Sequence, residues 1–129
     1  MTDSVSQMVS IIKNGYLAKK GQVSFSYSKF REQILKVLLA EGFIGKVSLK
    51  EDKKKRSLVI DLKYNGKEPA INEIRVVSKP GLRIYRSARG GRSLMSGLGK
   101  RILSTPGGVL TDIQAAKKNF GGEVILEVY

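Results

Sequence analysis

The chain has 129 residues, 41% of them hydrophobic, which is enough for one folded domain or two small lobes that share a core. It contains no cysteine, histidine or tryptophan, which excludes a disulfide framework, a Cys/His zinc site and a cysteine or histidine catalytic group. Its 24 lysines and arginines against 11 aspartates and glutamates give a net charge of +13, which predicts a polyanionic partner, with nucleic acid first and an acidic membrane second.

Two helices with a strand between them are predicted at the start of the chain. Apolar residues at helical spacing indicate an amphipathic helix over residues 4–19. Alternating apolar residues predict a short strand over residues 23–27. Ser28 can cap a second helix, whose apolar period continues up to Gly42.

Two further strands complete the predicted first half. Residues 43–50 look extended, and residues 58–64 alternate clearly between apolar and polar side chains. The run between them, residues 51–56, consists of six charged residues. A charged run flanked by strands is most simply a solvated hairpin tip, so it carries little weight as a contact.

The second half predicts shorter elements. Extended stretches between residues 74 and 84 are broken by Pro80-Gly81, residues 93–99 suggest one helical turn, and residues 101–104 suggest a strand. Thr111 can cap a short helix that ends near Asn119. In the final strand, apolar residues at every second position are expected to face one way; they are Val124, Leu126 and Val128.

Mixed strands and short helices in this order predict an α+β fold. We place the boundary at the turn signals around Asn65-Gly66 and Pro69, which gives an N-terminal helix-strand-helix-strand-strand lobe over residues 1–68 and a mostly β C-terminal lobe over residues 69–129. The N-terminus resembles no secretory signal, and no apolar run approaches the roughly 20 residues that span a bilayer. We therefore expect a soluble intracellular protein without a membrane partner.

The positive charge is concentrated in one segment. Residues 74–111 contain eight basic residues and no acidic one. Six of the eight are arginines, whose planar guanidinium binds phosphate through two hydrogen bonds and stacks on bases. The eight residues are Arg75, Lys79, Arg83, Arg86, Arg89, Arg92, Lys100 and Arg101. A solvated basic face is the simpler interpretation of scattered charge, but an acid-free run rich in arginine favours a nucleic-acid contact.

An aromatic residue lies inside this basic segment. If Leu82 and Ile84 face the core of a strand, Arg83 and Tyr85 share its open face. A basic residue beside an exposed aromatic can hold a phosphate and stack a base. The alternative is a tyrosine that half-covers the core with its hydroxyl at the surface, and the residues alone do not separate the two.

Two glycine-rich segments are further candidates. In residues 104–108, short hydroxyl side chains and bare glycine backbone let a loop approach a ribose or a base edge, although such a loop is usually just a turn. Gly121-Gly122-Glu123 has the same ambiguity, because glycines often precede a strand. If Glu123 faces RNA, its carboxylate must accept a hydrogen bond from a base amino group or a 2′-hydroxyl, since it repels phosphate.

The sequence does not favour an enzyme. Gly97-Leu98-Gly99 lacks the third glycine of a dinucleotide fingerprint, and Gly99-Lys100 is followed by arginine where a phosphate loop requires serine or threonine. The carboxylates are dispersed, and Asp112 is explained as part of a helix start after Thr111. We therefore predict no catalytic residue, cofactor, metal site or small-molecule substrate.

Taken in order, these segments resemble one family, small-subunit ribosomal protein eight in its bacterial or organellar form. The resemblance extends nearly from end to end, and its most specific part is the stretch 78–85 together with the spaced pair 104–105 and 121–123. The matching segments are residues 12–15, 41–44, 77–85, 97–99, 104–105, 108–112 and 121–124.

The resemblance implies a non-enzymatic structural protein that binds the central domain of small-subunit ribosomal RNA early in assembly. It also implies neighbouring small-subunit ribosomal proteins as partners and a place in the cytoplasmic ribosome, with an organellar ribosome as the alternative. Some family members repress translation of their own message, and that role is open here. Residues carried over from the family are Lys13, Asn14, Lys29, Tyr85, Ser104, Thr105, Gly108, Gly121, Gly122 and Glu123. The basic segment adds Lys79, Arg83 and Arg86 as phosphate contacts.

The chain departs from the family pattern close to this predicted site. Pro106-Gly107 stands where a second serine and often a lysine follow Ser-Thr, and Ile113 and Ala116 stand where basic residues are common. One hydroxyl contact and one phosphate contact of the family are therefore in question, and Lys117 or Lys118 could supply the missing charge.

Two other function classes are compatible with a basic domain. An enzyme acting on RNA, such as a nuclease, would need clustered carboxylates or a histidine, and the sequence offers neither. A DNA-packaging protein cannot be distinguished by charge alone. Equal affinity for duplex DNA and structured ribosomal RNA at matched salt would favour that class.

Overall fold

The computed structural model describes residues 2–79, 81–87 and 99–129. The helical turn predicted at residues 93–99 therefore lies, except for Gly99, outside the described residues. Helices and antiparallel sheets both occur, which confirms the predicted α+β class. The chain divides into two compact units, one of residues 4–71 and one of residues 72–129 that also includes residues 2–3.

The first unit has the predicted order of helix, strand, helix and two strands. It contains most of α1 (Thr2–Leu17), then β1 (Gln22–Ser26), α2 (Lys29–Ala40), β2 (Val47–Asp52), β3 (Lys55–Asp61), β4 (Tyr64–Asn65) and β5 (Glu68–Pro69). The first three strands form an antiparallel sheet in the order β1-β3-β2, and β4 pairs with β5 in a separate ribbon. The strand predicted to continue to Tyr64 is thus two strands, and the extended stretch predicted from residue 43 becomes a strand only at Val47.

The apolar faces of both helices and of strands β1 and β3 are buried, as their periodicity predicts, whereas the edge strand β2 has no buried side chain. Gly15 allows close packing of α1 on β1, because a Cβ atom there would lie 2.5 Å from Cγ1 of Val23. Ser28 caps α2 as predicted, and its hydroxyl accepts a hydrogen bond from the Arg31 N–H at 3.0 Å. The buried apolar residues include Val5, Met8, Ile12, Val23, Phe25, Ile34, Leu35, Leu38, Leu58 and Ile60.

The charged run at residues 51–56 is the tip of the β2–β3 hairpin, which confirms that prediction. The strands pair in register out to Asp52 opposite Lys55, so two lysines form the turn. Lys53 has a φ of 56° at this turn. Every side chain of the run is exposed, which agrees with a solvated tip.

The second unit is organised around its last strand. It contains β6 (Ile74–Val76), β7 (Tyr85–Arg86), β8 (Lys100–Thr105), β9 (Gly108–Thr111), α3 (Asp112–Lys117) and β10 (Gly122–Val128). One edge of β10 pairs with β8, which pairs in turn with β9. Along its other edge, β10 pairs first with β7 through residues 122–123 and then with β6 through residues 126–128.

A bulge in β10 overturns the expectation that its alternate apolar residues face one way. Val124 lies opposite Leu103, but Leu126 lies opposite Ile102, so Ile125 is an extra residue in β10. Because neighbouring residues of β8 point to opposite faces of the sheet, Val124 and Leu126 do so as well. Val124 packs with Leu103 against α3, in a cluster that also contains Ala115.

Helix α3 begins as the sequence predicts. The Thr111 hydroxyl accepts from the Gln114 N–H at 3.2 Å, and the Gln114 side chain accepts from the Thr111 N–H at 3.1 Å, which is a complete capping box. Asp112 is buried at the helix start and accepts from the Ile113 N–H, as expected for a structural carboxylate. The helix ends at Lys117, and Asn119 has a φ of 60° in the turn that follows.

A ladder of ionic side chains crosses this sheet next to the bulge. Glu127 lies opposite Arg75 on β6 and opposite Arg101 on β8, and it forms an ion pair with each. The Nε atom of Arg101 is 3.0 Å from Oε2 of Glu127, and its Nη1 atom is 3.9 Å from Oδ2 of Asp112. Burial by itself would raise the pKa of Glu127, but hydrogen bonds from the two arginines outweigh it and hold this pKa below its ordinary value.

The lowered pKa of Glu127 predicts a pH-dependent contribution to stability. A carboxyl group whose pKa is lowered by folding stabilises the folded state fully at any pH above its unfolded-state pKa of about 4.3. This stabilisation is lost as the pH falls through the folded-state pKa. We expect Glu127→Gln to lower the free energy of unfolding at pH 7 by about 2 kcal/mol. Urea denaturation at several pH values should show this difference shrinking below about pH 4, and a difference that is constant from pH 7 to pH 3 would contradict it.

Candidate nucleic-acid interface

Three predicted site residues from separate segments lie side by side across the C-terminal sheet. Glu123 on β10 is opposite Tyr85 on β7 and opposite Ser104 on β8. Directly opposed residues of antiparallel strands project from the same face with Cβ atoms about 5 Å apart. We call this set the Tyr-Glu-Ser row. Tyr85 is 71% exposed, which confirms that its ring is on the open surface, and the other two residues are half-buried.

The Ser-Thr segment is a tight hairpin turn, which is the simpler of the two interpretations that the sequence left open for this loop. Thr105 and Gly108 are opposed strand ends, so only Pro106-Gly107 forms the turn. The Thr105 hydroxyl donates to the Gly108 carbonyl oxygen at 2.7 Å and accepts from the Gly107 N–H at 3.1 Å. Gly108 has a φ of 108°, a conformation that is strained for any side chain. Thr105 therefore shapes the turn that follows the row.

The family departure at Gly107 has a local packing reason. A Cβ atom at this position would lie 2.4 Å from Cε2 of Phe120. Phe120 is half-buried and packs against the cluster beneath α3. A lysine at position 107 would therefore require the ring to move.

Gly122 allows the two strands that carry the row to approach each other closely. A Cβ atom at Gly122 would lie only 2.2 Å from the carbonyl oxygen of Ser104 and 3.0 Å from Cγ2 of Thr105. Backbone atoms in a sheet cannot move aside without disturbing their hydrogen bonds. This glycine is thus needed for the position of Ser104 and Thr105, whether or not it contacts a ligand.

A buried serine that the sequence analysis did not single out holds the segment before β7. Ser78 is fully buried, and its hydroxyl accepts from the Ile84 N–H at 3.0 Å and donates to the Ile84 carbonyl oxygen at 3.3 Å. The same carbonyl accepts from the Val124 N–H at 2.8 Å. A hydroxyl residue just before Lys79 and Pro80-Gly81 is a common turn signal, and it could have identified this role.

The orientation predicted for Leu82 and Ile84 is wrong. Leu82 is 61% exposed and Ile84 is 38% exposed, so neither packs into the core as expected. The reason is that Lys79 and Leu82 bond to each other through both backbone groups and close a turn, while β7 begins only at Tyr85. Arg83 is exposed, as predicted, but from a loop rather than a strand.

Glu123 of the row forms an ion pair with Arg83, which modifies the predicted role of this arginine. Its Nη1 atom is 3.3 Å from Oε2 of Glu123, and the two side chains are 44% and 21% exposed. An ion pair at this exposure contributes at most about 1 kcal/mol, so a phosphate can compete for the guanidinium. Arg83 therefore compensates the one carboxylate of the row, and its guanidinium stays partly accessible to solvent.

The remaining predicted residues lie around the row or in the other unit. Lys79 is exposed beside the turn that it closes, Arg86 lies opposite Gly122 on β7, and Gly121 immediately precedes β10. Three further predicted residues, Lys13 and Asn14 on α1 and Lys29 at the start of α2, belong to the N-terminal unit and are exposed. Arg89 and Arg92 lie outside the described residues.

Neither a cluster of metal ligands nor a membrane-spanning helix occurs in the part of the chain that the structure describes. Within residues 2–79, 81–87 and 99–129, acidic side chains do not gather in groups of three that could hold a metal ion. In the same part of the chain, no helix combines the length and the apolar character needed to cross a membrane.

Comparison with known proteins extends over the whole chain. The family model described as ribosomal protein S8 matches residues 3–129. The chain is 45% identical over 129 residues to the small ribosomal subunit protein uS8 of Erythrobacter litoralis, and the match covers 100% of this chain and 98% of that protein. The proteins of the same name from Mycoplasmopsis agalactiae and Wigglesworthia glossinidia brevipalpis are 41% and 42% identical over 129 and 128 residues, with coverage of 100% and 99% of this chain and 98% of each relative.

Proposed function

This chain belongs to the ribosomal protein S8 family, and on that basis we propose that it binds the central domain of small-subunit ribosomal RNA through residues 72–129. As a member of that family it is a structural constituent of the small ribosomal subunit and not an enzyme. The match confirms the resemblance carried by the sequence motifs. The finer statements below go beyond family membership.

The observation that carries the proposal is the composition of the Tyr-Glu-Ser row and its surroundings. An exposed tyrosine ring offers a stacking surface for an unpaired base. The hydroxyl of Ser104 and the carboxylate of Glu123 offer acceptors for a 2′-hydroxyl or a base amino group. Arg83, which pairs with Glu123, and Lys79, which is exposed on the turn before β7, can bind phosphate. Such a surface suits irregular RNA better than duplex DNA, which hides its base faces and has no 2′-hydroxyl.

In this mechanism, arginines and lysines supply most of the affinity and the row supplies the fit to RNA shape. Phosphate contacts release counterions and make the affinity depend on salt, whereas stacking and hydroxyl contacts do not. The carboxylate of Glu123 lowers the affinity for phosphate, but it accepts a hydrogen bond from a correctly placed donor group of the RNA. We propose that Lys13, Asn14 and Lys29 add backbone contacts from the N-terminal unit.

Substitution of Thr105 separates the two kinds of contact. Thr105→Ala removes the hydroxyl that closes the hairpin turn through two hydrogen bonds, and we expect about tenfold weaker binding with an unchanged salt slope. Thr105→Ser keeps the hydroxyl and should retain most of the affinity. The measurement is the dissociation constant of a central-domain RNA fragment across a salt series.

Arg83→Ala is the matched phosphate variant. It should lower the slope of log affinity against log salt by about 0.7 to 0.9. Because it also leaves Glu123 uncompensated, Arg83→Ala combined with Glu123→Gln should recover part of the lost affinity but none of the lost slope. Equal changes in salt slope for Thr105→Ala and Arg83→Ala would mean that the roles of these residues are wrongly assigned.

Family membership places the protein in the ribosome. Contacts with neighbouring small-subunit proteins and a cytoplasmic location are part of the proposal. Repression of its own message stays a prediction from the resemblance, and it would require the message to present the same RNA shape to the same surface.

A further inference from the structure

The sheet β1-β3-β2 of the N-terminal unit has one open face. Its other face carries Leu58 and Ile60, which are fully buried. Residues that oppose each other across antiparallel strands, or that lie two apart along one strand, project from the same face. Two such rows cross the open face, and we call them together the serine face. The rows are Ser24, Val59, Ser48 and Ser26, Ser57, Lys50.

Three of the four serine hydroxyls on this face are not used by the fold. The hydroxyl of Ser26 accepts from Nη1 of Arg31 at 3.0 Å. Among the described residues, the hydroxyls of Ser24, Ser48 and Ser57 have no hydrogen-bond partner in the protein. Neighbouring strands are about 4.8 Å apart, so Ser24 and Ser48 are separated by about 10 Å across their row. The face thus offers spaced hydroxyls, and each of them can both donate and accept.

The end of the serine face next to the β2–β3 hairpin tip is basic. Lys50 and Lys55 project from the open face, and Lys53 and Lys54 form the turn. All four are exposed, and within the described part of the chain none of them forms an ion pair. Asp52, opposite Lys55, compensates only part of their charge. A polyanion is therefore the complementary partner for this end of the face.

We propose that the serine face binds the minor groove of a regular RNA duplex, with its hydroxyls on ribose 2′-hydroxyls and its lysines on phosphates. The inference goes beyond the proposed function, because the Tyr-Glu-Ser row suits irregular RNA and belongs to the other unit. The minor groove of an A-form duplex is wide and shallow and displays 2′-hydroxyls. A flat face whose central residues are serine and valine can approach such a groove closely.

The composition of the face favours this occupant over a protein or a DNA duplex. Protein interfaces are enriched in aromatic residues, methionine and arginine and depleted of serine and lysine, which is the reverse of this face. The minor groove of B-DNA is only about 6 Å wide and has no 2′-hydroxyl. At the end of the face away from the hairpin, the carboxylate of Asp61 accepts from Gln22 at 2.7 Å, and it limits the surface that suits a polyanion.

The test titrates the isotope-labelled full chain with an RNA duplex of one helical turn and with a DNA duplex of the same sequence. Backbone amide shifts in β1, β2 and β3 give a dissociation constant for this face alone. Ser24→Ala removes an exposed hydroxyl without a protein partner, and Ser10→Ala on α1 is its matched control. Lys50→Gln removes a cation from the face, and Lys36→Gln, at an exposed position of α2, is the control for charge.

We expect the RNA duplex to shift the amides of Ser24, Ser48 and Ser57 until saturation, and the DNA duplex to shift them much less. Ser24→Ala should weaken binding of the RNA duplex about fivefold, as for one lost hydrogen bond, and leave DNA binding unchanged. Lys50→Gln should weaken binding of both duplexes and lower the slope of log affinity against log salt by about 0.9.

Equal shifts with RNA and DNA, or equal effects of Ser24→Ala and Ser10→Ala, would overturn this assignment of the serine face. The absence of any shift in the three strands with either duplex would also overturn it and would leave the face to a protein partner. In that case, binding of a central-domain RNA fragment with shifts confined to residues 72–129 would still support the proposed function. Failure of the unchanged protein to bind that fragment would instead contradict the proposed function.

Discussion

Replacing Gly122 with alanine is expected to destabilise the C-terminal unit and to weaken RNA binding together. The added Cβ atom would lie 2.2 Å from the Ser104 carbonyl oxygen, so β8 and β10 must separate or shift. Overpacking of this kind typically costs 1 to 3 kcal/mol, and we expect about 3 kcal/mol here because the obstacle is backbone rather than a flexible side chain. A thermal melt should show a Tm about 10 °C lower.

The effect on binding follows from the same displacement. Tyr85, Glu123 and Ser104 share one row only while the three strands keep their register. Measured well below the melting temperature, the affinity of Gly122→Ala for the central-domain RNA should fall at least about tenfold, as for the loss of one stacked base. Gly21→Ala is the control, since a Cβ atom there meets nothing within 4 Å. If the Gly122→Ala protein were as stable as the Gly21→Ala protein, strands β8 and β10 would not be held at the close approach seen between Gly122 and Ser104.

Replacing Arg31 is expected to have the second large effect, on stability. Arg31 is only 3% exposed, and burial lowers the pKa of its guanidinium below the usual value. Its nitrogens donate to four acceptors, namely the carbonyl and hydroxyl oxygens of Ser26, the carbonyl oxygen of Ser4 and the side-chain oxygen of Gln7. The guanidinium also lies 5.3 Å from the centre of the Phe25 ring. This one side chain thus joins α1, β1 and α2.

Arg31→Ala removes the buried guanidinium together with its part-buried hydrogen bonds to these four acceptors, and we expect a loss of about 3 kcal/mol in the free energy of unfolding. Arg31→Lys keeps the charge but cannot reproduce the planar fork, so it should recover less than half of that loss. Lys36→Ala on the exposed side of the same helix is the control and should stay within about 0.5 kcal/mol of the unchanged protein. Full stability of Arg31→Lys would mean that charge alone, rather than the hydrogen-bond geometry, accounts for the buried arginine.

Elements that depend on neighbouring residues could be predicted from the sequence. The caps at Ser28 and Thr111 need only a hydroxyl and a helix-forming segment after it, and both are present in the structure. The hairpin tip at residues 51–56 needs only two strands and a charged turn between them. The residues that form such local interactions are close together in the sequence, so their pattern predicts the structure.

Features that depend on distant residues could not be predicted. The bulge at Ile125 follows from the pairing of β10 with three other strands, and no single segment shows it. The exposure of Leu82 results from a closed turn that Ser78 holds through Ile84, six residues away. The steric role of Gly122 depends on Ser104, which is 18 residues earlier in the chain and becomes a neighbour only in the folded sheet.

The positive charge of residues 74–111 is partly neutralised by ion pairs with residues from outside this segment. Arg75 and Arg101 share Glu127, and Arg83 pairs with Glu123, although the segment 74–111 contains no acidic residue of its own. Its compensating carboxylates come from β10 and from Asp112 at the start of α3. The local charge available for phosphate is therefore smaller than the sequence count suggests, and its placement around one row matters more than its total.

The central claim is that this surface distinguishes structured ribosomal RNA from other nucleic acids, and a salt series on two ligands tests it most directly. Dissociation constants are measured for a central-domain fragment of small-subunit ribosomal RNA and for duplex DNA of equal length at matched salt. We expect the RNA to bind about 10³-fold more tightly, as specific sites do relative to nonspecific ones, and its advantage to persist as salt weakens both. Equal affinities with equal salt slopes would contradict the account and indicate a general nucleic-acid-binding protein.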